Sequence, residues 1–233
     1  MMNWIDTKYY YLILMLLSIS YPLIKSFENR LQFYKNWKSL FVAIISMMIV
    51  FISWDVIFTD LAIWSFNDQY ILGHKFLYLP IEEWMFFVCV PYACVFIHEV
   101  LIFFFPLKTT NSKIRVWARL IAFILLFVGV FFWYKTYTCV CFILTGMFLL
   151  LIQRKNLLLL TLICRTYLVS LIPFFIINGI LTGALTIEPI VMYNDQQNTS
   201  LRVFTIPIED FIYCFLMLGL TIWIYEWKKQ YKK

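Results

Sequence analysis

"LYLPIEEWMFF", Leu77 to Phe87, sets two adjacent carboxylates, Glu82 and Glu83, at the mouth of an apolar run that continues to about Phe105. A charged side chain at the centre of a bilayer costs about 2.5–3.5 kcal/mol on insertion scales, so acids at the edge of such a run need a use. The rest of the chain sets the same context. Hydrophobic residues make up 63% and charged ones 14% of 233 residues, and a water-soluble globule of that composition has too little polar surface to cover itself. The chain reads as an all-α integral membrane protein. No basic segment with a small-residue cleavage site precedes the first apolar run, which is therefore expected to stay as a helix rather than leave as a signal peptide.

Runs long enough to cross about 30 Å of hydrocarbon fall near 7–25, 38–58, 80–105, 115–134, 137–153, 157–181 and 207–227, which predicts seven transmembrane helices. Thirteen basic residues (Lys25, Arg30, Lys35, Lys38, Lys108, Lys113, Arg115, Arg154, Lys155, Lys228, Lys229, Lys232 and Lys233) follow odd-numbered helices on one side, against Lys8, Lys75, Lys135 and Arg202 on the other. The positive-inside rule then predicts a multi-pass protein of the cell membrane, with the N-terminus outside and the C-terminus in the cytoplasm. The same sorting explains the net charge of +6 without any nucleic-acid partner. Arg119 can snorkel to the inner interface. Arg165, well inside the sixth run, needs a carboxylate partner or a snorkelled structural position. His98, near the inner end of the third run, reads as structural. The six cysteines all lie in apolar stretches without zinc-type spacing and read as small packing residues, so no metal is expected.

The acidic motif is duplicated. "FNDQ" at Phe66–Gln69 recurs as "YNDQ" at Tyr193–Gln196, and "PIEE" at Pro80–Glu83 recurs as "PIED" at Pro207–Asp210, both at an offset of 127. The same shift carries Glu99 onto Glu226. A shift of 123 carries Asp55 and Thr59 of "WDVIFTD" onto Asn178 and Thr182 of "INGILTG", the difference fitting one longer loop. Mapped onto helices, the duplication gives a 3+1+3 parallel tandem repeat: a first unit over 1–106, a connector helix within 107–135, and a second unit over 136–233. Four crossings separate equivalent helices, so both halves keep the same orientation and both acidic motifs lie at the outer mouth.

Each proline suits a helix start, and carboxylates just after it favour the positive end of the helix dipole, which is the plain structural reading. Pairing and duplication point further. Adjacent helical residues diverge by about 100°, so one acid of each pair turns inward where the other caps, and the acids of the two halves converge. Walled by Trp84, Phe86, Phe87, Phe211 and Tyr213, a carboxyl beside a like neighbour is expected to keep its proton. Such an acid in an aromatic, dry pocket suits protonation of a carbon–carbon double bond, whose carbocation water would destroy and aromatic faces stabilise.

"WDVIFTD" before "LPIEEWMFF", with "PFFIINGILTG" and "FTIPIEDFIY" after a connector, resembles the lycopene cyclase domain family over nearly the whole chain. In that family the two repeats occur as separate subunits or fused, as here. The resemblance implies a lycopene β-cyclase: non-redox, cofactor-free closure of the linear ends of lycopene, or a related carotenoid, to β-ionone rings by way of γ-carotene to β-carotene. It implies a reaction centre of Glu82, Glu83, Glu209 and Asp210, with Asp55 and Asn178, and by extension Thr59 and Thr182, as polar partners. Association with a second copy is compatible with it. The halves differ, since Glu209-Asp210 faces Glu82-Glu83 and Asn178 faces Asp55, which implies unequal roles. Retinal binding would need a lysine between Pro207 and Trp227, and none occurs there. A membrane prenyltransferase would need Asp-rich clusters for magnesium, where "FNDQY" and "YNDQQ" supply one acid each. No G-x-G-x-x-G flavin fingerprint occurs. A non-catalytic carotenoid-binding or assembly subunit remains the non-enzyme alternative.

Overall fold

The computed structural model describes residues 7–230; Lys232 and Lys233, counted above among the inner basic residues, lie outside them. Seven α-helices appear where the hydropathy runs place them: α1 Tyr10–Lys25, α2 Trp37–Asp60, α3 Ile81–Phe104, α4 Lys113–Phe131, α5 Thr136–Lys155, α6 Leu157–Leu181 and α7 Ile208–Gln230. Six are long and apolar enough to cross a membrane, while α1 has only 16 residues. At 1.5 Å per residue α1 covers about 24 Å, short of a full hydrocarbon core, and this qualifies the expectation of seven transmembrane helices. Apolar side chains cover the outward faces, most plainly on α4, where Val116, Leu120, Phe123, Phe127 and Phe131 are exposed.

The opposite face of α4 carries small residues, and α4 packs closely on α5. A Cβ on Gly146 would sit 2.8 Å from Leu126 Cγ and 3.0 Å from the Ala122 carbonyl, and one on Gly129 3.2 Å from the Cys139 carbonyl. Small residues let membrane helices approach backbone to backbone, so these glycines set the α4–α5 spacing. A single residue, Asn156, joins α5 to α6, and its side chain accepts the Leu159 N–H as an N-cap. Arg165 donates to the Phe105 carbonyl just past the end of α3, so this cation sits on an orphan helix-end carbonyl rather than on a carboxylate.

The loops at one end of the bundle are ordered by short strands, which an all-α reading does not contain. Strands β1 Trp64–Phe66 and β4 Val191–Tyr193 pair antiparallel, with Trp64 opposite Tyr193. Hairpins β2 Lys75–Phe76 with β3 Leu79–Pro80, and β5 Arg202–Val203 with β6 Ile206–Pro207, lead into α3 and α7. The repeated Asn-Asp-Gln stretches shape these loops identically. Asn67 and Asn194 each accept the N–H two residues on, at 3.0 Å, the Asx-turn geometry. Asp68 pairs with Lys75 at 2.8 Å and Asp195 with Arg202 at 2.7 Å, equivalent ion pairs that tether each hairpin. At the opposite end, Glu99 accepts from Lys229 and Asn36, and Glu226 lies 3.3 Å from His98 Nε2. His98 also meets Thr166 at 2.9 Å, which fits its structural reading and links α3 to α6 and α7.

Candidate functional site

Both hairpins end on a proline, and both following helices open with two acids in the first turn, where the exposed N–H groups favour negative charge. The members of each pair then part. Glu82 turns back to the loop and accepts the Leu72 N–H at 2.8 Å. Glu209 does the same with the Thr199 N–H at 2.7 Å, and also accepts the Thr138 hydroxyl at 2.6 Å. Leu72 and Thr199 are again 127 apart. Neither carboxyl lines the cavity that the other two acids enter; both are fully buried supports of the loops above.

Glu83 and Asp210 point the other way, into a cavity of about 450 Å³ that runs from the loop-bearing end of the bundle along α1 as far as Pro22. Tyr11 of α1 donates to Glu83 Oε2 at 2.5 Å, and Tyr137, at nearly the same place in the second unit, donates to Asp210 Oδ1 at 2.7 Å. Asp210 Oδ2 accepts two more donors, the Asn178 amide at 2.7 Å and the Tyr193 hydroxyl at 2.8 Å. Asp55, on α2, lines the same cavity and accepts Trp64 Nε1 at 2.6 Å, while its Oδ2 is buried without a partner among the described residues. Burial, reinforced by the charge of Asp210, holds the Tyr193 phenol well above its ordinary range, which keeps its hydroxyl a donor.

The β1–β4 pairing is what joins the two halves here. Trp64 and Tyr193 face one another across the ribbon with ring centroids 6.2 Å apart, and each anchors one cavity acid. Beneath them Tyr137 stacks on Tyr193, with centroids 6.0 Å apart at 14°, and meets Trp64 edge-on at 5.2 Å. Tyr213 packs at 5.0 Å against Trp54 and at 5.0 Å against Phe51. Otherwise the wall is apolar, with Phe66, Phe86, Phe174 and Met217 contributing. Leu17 and Tyr21 of α1 and Ile176 of α6 both line the cavity and lie exposed on the apolar outer surface.

Of the residues singled out in the sequence, Glu83, Asp210, Asp55, Asn178, Phe86 and Tyr213 come together around this space. Glu82 and Glu209 stand behind it. Thr182 bonds the Asn178 carbonyl and Thr205, and Thr59 lies one turn beyond Asp55; neither lines the cavity. Trp84 donates to the Phe76 carbonyl, Phe211 packs on Phe174 and Phe175, and Phe87 is buried elsewhere. Sequence reasoning missed Tyr11, Trp64, Tyr137 and Tyr193. Their signal was present: Tyr193 opens "YNDQ", Trp64 precedes "FNDQ" by two residues, and Tyr11 and Tyr137 are offset by 126. Among the described residues no group of three or more His, Cys, Asp or Glu has an arrangement that could hold a metal ion.

Comparison with curated proteins and with solved structures finds no match in either. A family model described as lycopene cyclase matches twice, over residues 7–101 and 134–228, which are the two halves that the duplicated acids, the paired hairpins and the equivalent tyrosines delineate. The chain therefore belongs to the lycopene cyclase family, as a membrane protein carrying two copies of its domain.

Proposed function

We propose that this protein is a lycopene β-cyclase working by acid–base catalysis, without net redox change and without a cofactor. The observation that carries the reading is the convergence of Glu83, Asp55 and Asp210 on one aromatic, mainly apolar cavity. A proton added at C2 of a linear end group leaves a cation at C1. The C5–C6 double bond closes on it, and loss of the C6 proton gives the β-ionone ring. The chemistry needs a carboxyl that donates, a carboxyl that accepts, aromatic faces near the cation and little water. Rings of Trp64, Tyr137, Tyr193 and Tyr213 supply the aromatic faces.

The polyene enters from the bilayer between α1 and α6, past Leu17, Tyr21 and Ile176, and leaves its far end in the hydrocarbon. The chain is organised as 3+1+3, with 1–106 and 136–233 as the repeats and 107–135 as connector, and the acid cavity faces the outside of the cell. Expression of the chain alone in cells that accumulate lycopene tests the activity. β-Carotene, with γ-carotene as the one-ring intermediate, is the expected pigment. Lycopene left unchanged beside an inserted, folded protein would reduce the chain to a carotenoid-binding or assembly subunit.

A further inference from the structure

Hydrogen-bond donors are divided unevenly among the three cavity carboxyls. Asp210 alone accepts three, from Tyr137, Asn178 and Tyr193. An amide nitrogen can only donate, and the simplest arrangement that lets both phenols donate as well is an ionised carboxylate, for which such charge-assisted bonds are strongest. Asp55 and Glu83 together receive two short ones, from Trp64 and from Tyr11, with the Thr59 hydroxyl a more distant neighbour of Asp55. Both carboxyls line the same cavity. Asp55 Oδ2 is buried with no partner among the described residues, and two like charges in an apolar space with so few donors are costly unless one proton lies between them.

The asymmetry begins in the sequence. Where the first unit has Asp55, the second has Asn178, and the extra amide goes directly to Asp210. Duplicated halves have thus become unlike halves around a single space. We propose that the repeats form one reaction centre with divided labour, in which Glu83, sharing a proton with Asp55, is the acid and Asp210 is the base. The proposal rests on the cyclase reading above and assigns its two proton transfers.

The transfers balance. Glu83 gives its proton to C2, the C1–C2 π electrons forming the new C–H bond and leaving the charge at C1. The C5–C6 π electrons make the C1–C6 bond and move the charge to C5. Asp210 takes the C6 proton, and the electrons of that C–H bond restore the C5–C6 double bond. Asp210 then holds the C6 proton while Glu83 has given one to C2, so release of one proton from Asp210 to water and uptake of one by Glu83 reset the centre and none is consumed. One centre also means one end at a time: a one-ring product must leave and return reversed before the second ring forms.

Purified protein in lipid vesicles loaded with lycopene and equilibrated in D2O tests the assignment, with infrared spectra of the carboxyl region recorded on the same samples. Wild type should give β rings carrying one deuterium each at C2. Glu83→Gln should return unlabelled lycopene, with ring formation reduced by about 10²-fold or more. Asp210→Asn should still protonate, so deuterium should appear in recovered lycopene or in rings whose double bond has moved away from C5–C6. The neutral-carboxyl band should respond to Glu83→Gln and to Asp55→Asn and stay in place in Asp210→Asn. Should Asp210→Asn not fold, Tyr193→Phe, which removes one donor and keeps the ring, should show the same product shift in weaker form. Deuterated β rings from Glu83→Gln at near wild-type rate, unlabelled and uncyclised lycopene from folded Asp210→Asn, or a neutral-carboxyl band that vanishes with Asp210→Asn would overturn the assignment. Lycopene untouched by wild type would count against the cyclase reading instead, while the infrared bands would still decide where the proton rests.

Discussion

Substituting Glu82 and Glu83 separately by glutamine makes the same chemical change at adjacent positions, yet the two side chains face opposite ways, so the consequences should separate. Glu83→Gln removes a transferable proton from the cavity wall and keeps the Tyr11 contact through its carbonyl. Loss of a general acid costs about 10²–10⁴ in rate, with little change in stability. Glu82→Gln leaves the cavity untouched. It weakens the bond from the Leu72 N–H, a loss of about 1 kcal/mol, and exchanges one buried atom without a partner, Glu82 Oε2, for another, the amide nitrogen. A destabilisation of about 1 kcal/mol is expected, a measurable share of a typical folding free energy. The assay is pigment analysis in lycopene-accumulating cells, normalised to protein in the membrane, beside thermal unfolding of each variant in detergent. Glu82→Gln should cyclise at near wild-type rate per folded molecule and melt lower; Glu83→Gln should melt normally and not cyclise. If Glu82→Gln abolished rings at wild-type melting temperature, the division of each acid pair into a loop support and a cavity acid would be wrong.

Three further outcomes follow from features away from the acids. A reporter fused after Lys233 should be cytoplasmic and one inserted in the 194–200 loop external; both on one side would refute the orientation. Gly146→Val forces a side chain toward the Ala122 carbonyl and should destabilise the α4–α5 contact by about 1–3 kcal/mol, read as a lower melting temperature with activity per folded molecule preserved, and an unchanged melt would show that the helices separate freely there. Ile176→Trp adds bulk where the cavity meets the apolar surface; in vesicles it should raise KM for lycopene with kcat little changed, and equal KM values would close the α1–α6 route.

Much of this fold was legible because a membrane leaves little choice: backbone groups in hydrocarbon must be satisfied within helices, so long apolar runs locate α2 to α7 to within about three residues at each end. Duplication did the rest for the acids, since a motif repeated at one spacing marks equivalent places whatever its role. Hidden was the direction each acid faces. "PIEE" and "PIED" are symmetrical to a reader, and only the loop N–H groups of Leu72 and Thr199 decide that the first acid turns back and the second forward. The tyrosines were hidden by abundance, fifteen in a chain one-fifth aromatic, so no single ring stood out until a carboxyl was found against it. Strands of two or three residues carry too short an alternation to register. The aromatic wall was drawn from neighbours of the motif in sequence, whereas the cavity takes its rings mostly from other elements.

The β1–β4 ribbon also imposes an order of events on biogenesis. Its partners lie 127 residues apart, Ser65 with Met192 at the centre, so three helices can be threaded into the bilayer long before the second strand exists. Contacts of such sequence separation form late, and a chain emerging at about 5–20 residues per second leaves Asp55 and Glu83 without their cross-repeat neighbours for many seconds. During that interval the cavity lacks the walls that Tyr137, Tyr193 and Tyr213 supply. The cavity is therefore complete only after Tyr193 has docked opposite Trp64 and α7 has brought in Asp210, so the activity proposed above belongs to the finished chain alone.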